Sequence, residues 1–177
     1  MFGFTTATIT VFLSGIVGSE INTNQSLSTL PTALFVVGTA SFTVLAANIM
    51  SKIGRRNGFV FAAIGSSCSA LLAAFAISQK SFLLFSISCL FLGMGAAFNH
   101  QYRFAAAESV EKDKIPKAIS ILLLAGIVSA FLGITLADYT KDLIQNHMYV
   151  GSYILLSFLS FMPVSYTHLR AHETSLH

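Results

Sequence analysis

Charge is what this sequence has least of. Only 10% of its 177 residues are Asp, Glu, Lys or Arg, while 54% are hydrophobic, and the mean hydropathy is +0.74. A water-soluble domain carries about 25% charged residues, so a globule made of this chain could not cover itself with polar groups. That excludes an ordinary soluble fold and leaves lipid as the solvent. Cysteine is scarce too. Cys68 and Cys89 lie in separate apolar segments, which excludes a framework of loop disulfides and a cysteine-based metal site; both read as inert, buried small residues. Carboxylates are missing from the middle of every complete apolar segment, because Glu20, Glu108 and Asp138 all fall near segment ends. No intramembrane carrier for a proton or cation is therefore visible. An intramembrane enzyme is excluded on similar grounds: it needs a nucleophile–base pair or a metal triad, and His100 and Glu108 have no third partner nearby.

What the chain has instead is long charge-free runs. Residues 2–19, 21–51, 57–79, 81–102 and 118–137 are five segments of 18 to 31 residues without a charge. A bilayer-spanning helix needs about 20 mostly apolar residues. The pattern predicts spans at about 2–17, 31–52, 58–77, 82–104 and 118–137, and a shorter sixth at about 148–162. The fold class is thus all-α: a polytopic membrane helix bundle of about six transmembrane helices. The apolar pattern continues far beyond the first segment, so that segment is a membrane span and not a cleaved signal peptide. Its threonines (Thr5, Thr6, Thr8, Thr10) suit a helix packed within protein. Ser28 or Thr29 is placed to cap the second span, with Pro31 in its first turn.

The final residues read differently. The string Ser165-Tyr-Thr-His-Leu-Arg-Ala-His-Glu-Thr174 resembles translated sequencing-adapter read-through, and the apolar pattern stops mid-helix. Residues 1–162 are accordingly taken as one six-helix domain and 163–177 as a non-native tail. His168 and His172 are spaced i, i+4, but a zinc site needs more ligands than two, so no metal and no cofactor are assigned. Met1 lies directly against the first span, and the chain reads as truncated at both ends.

Cation placement gives orientation. Lys52, Arg55 and Arg56 lie between spans two and three, and Arg103, Lys112, Lys114 and Lys117 around the loop between spans four and five; the opposite face has Lys80 and Lys141. The majority places the 2–3 and 4–5 loops, and both ends of the six-span domain, in the cytoplasm. The net charge of +3 is then a topology signal, and no nucleic-acid partner is implied.

The tightest local pattern is Ala47-Asn-Ile-Met-Ser-Lys-Ile-Gly-Arg-Arg-Asn57. One span ends, Gly54 permits a short reversal, two arginines follow, and the next span begins. Arg55 and Arg56 are placed to hold the last carbonyls of span two and to anchor at headgroups. This loop resembles the 2–3 loop of the major facilitator superfamily, whose pattern is G-x-x-x-D-R-x-G-R-R. Gly54, Arg55 and Arg56 match it, and Lys52 stands in for an arginine. Ala47 replaces the first glycine and Ser51 the aspartate that helps latch the two halves of such transporters. With Ser26–Pro31, Gly54–Phe59, Gln101–Glu108 and Ala130–Ala137, the resemblance covers nearly all of residues 1–162 and is to a bacterial branch of permeases of uncertain substrate. It implies an N-terminal six-helix half, a second half that completes a central site, transport by rocking of the halves, and a bacterial inner-membrane location.

Two further groups of residues are singled out. Gly126 and Gly133, with Ala125, Ser129 and Ala130 around them, would let span five pack closely; the Gly-Pro of antiporter members is replaced by Gly133-Ile134. In the polar stretch Asn99-His-Gln-Tyr-Arg103, helical phasing puts Asn99 and Arg103 on one stripe with His100 beside it, and Gln101 nearly opposite. Asn99, His100 and Arg103 are the transport-pathway or gate candidates, and a histidine is the residue type that suits proton coupling. The reading is a fragment of a secondary transporter that moves a small solute by alternating access, with lipid as its surroundings. The alternative is a non-transporting membrane scaffold, or a half-transporter that pairs with another chain.

Overall fold

A computed structural model of the chain describes residues 2–22, 25–101, 104, 110–144 and 147–174, with side chains described within 5–162. Six long helices account for almost all of it: α1 Phe2–Ile21, α2 Leu30–Ile53, α3 Arg55–Ser78, α4 Phe82–His100, α5 Ile115–Thr140 and α6 Val150–Thr174. Short 3-10 turns, Gln25–Leu27 and Lys112–Lys114, lead into α2 and α5. α2 to α5 are each long and apolar enough to cross a bilayer, while the apolar helical stretches 5–21 and 150–162 are shorter. This is an integral membrane protein. Several boundaries differ from the sequence expectation: α1 runs on to Ile21, α3 begins at Arg55, α4 ends at His100, α5 spans Ile115–Thr140, and α6 begins at Val150 and continues past Met162 to Thr174. Polarity did not stop α6 because a helix satisfies its own backbone whatever its side chains face.

The breaks between helices have local causes. Gly54 has φ 80 and ψ 155, a backbone region that essentially only glycine occupies, and α3 starts one residue later. Asn57 Nδ2 donates to the Ile53 carbonyl at 3.0 Å, filling one of the acceptors orphaned at the end of α2. The α3–α4 turn closes with Ser81 N donating to Ala76 O (2.9 Å) and Lys80 N to Ile77 O (3.0 Å). That is a Schellman pairing, and Lys80 takes its left-handed position at φ 51. α2 and α5 each carry a proline in the first turn, Pro31 and Pro116, where the missing N–H costs no helical hydrogen bond.

Neighbours in space are mostly not neighbours in sequence. α2 packs most extensively on α4, α3 on α6 and α4, and α1 on α5, α4 and α6. Exchanging α1, α2, α3 with α4, α5, α6 turns the α2–α4 pair into the α5–α1 pair and α3–α4 into α6–α1. The six helices therefore pack as two interlocked triplets. Lipid offers no hydrophobic gain for helix association, so the contacts rest on close approach and on polar side chains. At the α2–α4 crossing, a Cβ on Gly38 would run into the Leu90 carbonyl, and one on Gly93 into the Phe35 carbonyl and 2.8 Å from Thr39 N. Gly133 meets Thr5 and Ile9 of α1, with a Cβ there 3.2 Å from each. Hydroxyls link the helices as well: Ser14 to Thr32 (2.7 Å, α1–α2), Ser67 to Ser157 (2.7 Å, α3–α6), and Ser152 to the Ala137 carbonyl (2.9 Å, α6–α5). The largest buried cluster runs through α1, α3, α4 and α6, with Ile9, Leu13, Ala70, Ala73, Phe85, Leu92 and Leu156 in its middle. Tyr153 stands edge-on to Phe85, ring centroids 5.6 Å apart.

Candidate transport pathway and gate

The end of the bundle that carries the α2–α3 turn holds most of the singled-out residues. Ser51, Lys52, Gly54 and Arg56 are exposed, and Arg55 is half-buried. Ser51, at the position of the family's aspartate, donates its hydroxyl to the Asn48 carbonyl at 2.8 Å, so it is bonded to its own helix. Arg55 turns inward to line an open cleft of about 550 Å³ between the ends of α2, α3 and α4, together with Thr43, Val44, Asn48, Ser51, Gln101 and Phe104. That volume lies in the range of small-molecule sites. The α2 end is held by Asn57, which nothing in the sequence marks out beside the two neighbouring arginines.

The polar stretch at the end of α4 is split among separate surroundings. Asn99 points into the bundle, lining a cavity of about 20 Å³ with Thr6, Phe59, Ala62, Ala63, Ser66 and Ser160. His100 is exposed at the helix end. Gln101 enters the cleft beside Arg55. Arg103 lies outside the described residues. Asn99 and His100 therefore do not converge: one step along a helix turns the side chain by about 100°, and here that step separates the bundle interior from its surface. Of the two packing candidates, Gly133 is buried against α1, while Gly126 is half-buried. Gly38, Gly93 and Gly95 are tighter than either. An added Cβ at Gly95 would collide with the Ser66 hydroxyl, and at Gly58 would lie 2.6 Å from Met50 Cγ.

At the opposite end, the α5–α6 loop is tied by Tyr149 N donating to Lys141 O at 2.8 Å and by a Lys141–Asp138 ion pair at 2.8 Å. The hydrogen bond and charge of Asp138 raise the Lys141 pKa. Tyr149 is also raised, first by burial and then by the charge of Glu20.

Six helices with glycine-backed crossings, an arginine-bearing α2–α3 turn and a cleft at that end form a recognisable arrangement, and the sequence match decides which one. Residues 1–175 match the Major Facilitator Superfamily. The chain belongs to that superfamily. Among curated proteins it is similar to the riboflavin transporter RfnT of Brucella anthropi, 34% identical over 162 residues, which is 92% of this chain and 41% of that protein. Two uncharacterized MFS-type transporters of Bacillus subtilis are more distant. YdeG is 28% identical over 75% of this chain and 31% of its own length, and YddS is 24% identical over 72% and 29%. The chain thus spans less than half the length of the superfamily relatives it matches. No solved structure matches it significantly.

Proposed function

We propose that this chain is the N-terminal six-helix half of a secondary transporter that moves a small solute across the bacterial inner membrane by alternating access. A second six-helix half completes the pathway. The observation that carries this reading is the family match over a bundle of six helices that spans 41% of a named transporter. Residues 1–162 form the N-terminal half, and 163–177 are a non-native tail. In this reading the α2–α3 turn and its cleft face the cytoplasm, where the cationic loops belong. Arg55 and Gln101 border the cytoplasmic mouth, and the exposed His100 is positioned to exchange the coupling proton. This half has no carboxylate in mid-span, and in this reading the coupling residue belongs to the second half.

The name of the Brucella relative makes a flavin the first solute to assay. The complete gene, expressed in a riboflavin-auxotrophic bacterium, is expected to restore saturable uptake of labelled riboflavin that collapses with a protonophore. Uptake of another solute with no response to riboflavin would remove the flavin and keep the transporter. Gradient-driven, saturable uptake by residues 1–162 alone in liposomes would overturn the half-transporter reading.

A further inference from the structure

The cavity beside Asn99 has its own chemistry. Four of its seven lining residues carry polar side chains, and they come from four different helices: Thr6 from α1, Ser66 from α3, Asn99 from α4 and Ser160 from α6. Its volume of about 20 Å³ exceeds the roughly 10–15 Å³ that one water requires. A second, smaller space of about 10 Å³ shares Thr6 and Ser66 with it and reaches Thr10. Cavities that stay dry inside proteins are apolar, and a buried water takes 2–4 polar partners. This wall offers four.

The partners have capacity to spare. The Ser160 hydroxyl spends its proton on the Leu156 carbonyl at 2.8 Å, which leaves its oxygen to accept. Thr10 does the same toward the Thr6 carbonyl at 2.8 Å. Thr6 and Asn99 are engaged elsewhere as well, but a hydroxyl accepts twice and donates once, and an amide side chain offers two donors and two acceptor positions. Gly95 backs Ser66 so closely that any side chain there would displace the hydroxyl.

We propose that the partly open space between Thr6, Ser66, Asn99 and Ser160 is a water-binding site: one ordered water joins α1, α3, α4 and α6 by hydrogen bonds to their side chains. One turn further along α6, Ser157 bonds Ser67 directly, so the α3–α6 contact consists of one direct clasp and one through water. A water-mediated bond is nearly as favourable as a direct one, and its water can exchange.

The test uses wild-type protein in lipid nanodiscs, labelled by X-ray-generated hydroxyl radicals and read by mass spectrometry. Radicals form on water, so Phe59, in the cavity wall, is expected to be modified several-fold faster than Phe61, which is exposed on the outside of α3. Ala63→Val fills the cavity with methyl groups and is expected to remove that excess. An unchanged Phe59 rate in a folded Ala63→Val protein overturns the proposal. Should that variant fail to fold, a high-resolution density map of the wild type decides. A peak within hydrogen-bond distance of Ser66 and Ser160 supports the site, and featureless density there overturns it.

Discussion

Gly38→Ala is the sharpest perturbation of the α2–α4 crossing. The new methyl would fall on the Leu90 carbonyl and lie 3.1 Å from its carbon and 3.3 Å from its Cα. All three are backbone atoms inside a helix, so no side chain can swing away and the helices must part. Overpacking of this kind costs about 1–3 kcal/mol. Parting adds to the cost, since a gap of about 0.5–1 Å forfeits a quarter to a half of each dispersion contact along the crossing. Replacing glycine by alanine returns up to about 1 kcal/mol of helix propensity. The expected net loss is about 2 kcal/mol, or roughly a 30-fold shift in the folding equilibrium by the usual 1.4 kcal/mol per factor of ten. Gly93→Ala should behave alike, and the double variant should lose less than the sum, because helices already parted by one methyl admit the second. Gly15→Ala is the control: its Cβ would meet only the Thr32 hydroxyl at 3.6 Å, an ordinary contact, so it should be neutral or slightly stabilising. The assay is reversible unfolding in mixed micelles, followed by helix-sensitive circular dichroism. A Gly38→Ala protein as stable as Gly15→Ala would refute the close crossing.

Three other outcomes follow from the same structure. Lys80 sits at φ 51, which costs a side-chain-bearing residue roughly 1–2 kcal/mol; Lys80→Gly should recover part of that and raise the unfolding midpoint, and a fall would mean that the lysine side chain is needed there. The Tyr153 hydroxyl is buried and has no hydrogen-bond partner among the described residues. A buried unsatisfied group costs about 1–3 kcal/mol, so Tyr153→Phe should stabilise the protein, and destabilisation in the same assay would show a partner at the hydroxyl. Lys141 and Tyr149 both have raised pKa values in the fold. Such groups contribute fully below their unfolded pKa values, near 10, and lose that contribution as pH rises through the folded ones. Stability from the α5–α6 loop should therefore be flat from neutral pH to about 9 and fall above about 10. The alkaline fall should shrink in Tyr149→Phe and in Asp138→Asn, and an undiminished fall would place its origin elsewhere.

The six helices were legible because charges are so few that each cluster marks an end: Lys52 to Arg56 bracket one turn and Glu108 to Lys117 another. The reversal at Gly54 was legible for a similar reason, since its position between two spans leaves little room for anything but a tight turn. The crossings were not. Gly126 and Gly133 are marked by the small residues Ala125, Ser129 and Ala130 around them, yet Gly38, Gly93 and Gly95 make the closer contacts. A glycine carries no mark of which neighbour it faces; that depends on how each helix is rotated against partners distant in sequence. The same rotation divides Asn99, His100 and Gln101 between interior, surface and cleft. Phasing within α4 gives angles between its residues and leaves the zero of that angle open.

The interlocked packing has a consequence for biosynthesis. α2 leaves the ribosome well before α4, its most extensive partner, and α1 waits still longer for α5. Ser14 and Thr32 join α1 to α2 within the first triplet, but the Gly38 face of α2 and the face of α1 that receives Gly133 stay uncovered until the second triplet arrives. Assembly of this bundle is therefore a late event in its synthesis, and any chaperone or translocon contact that shelters α1 and α2 has to persist until α4 and α5 have been inserted.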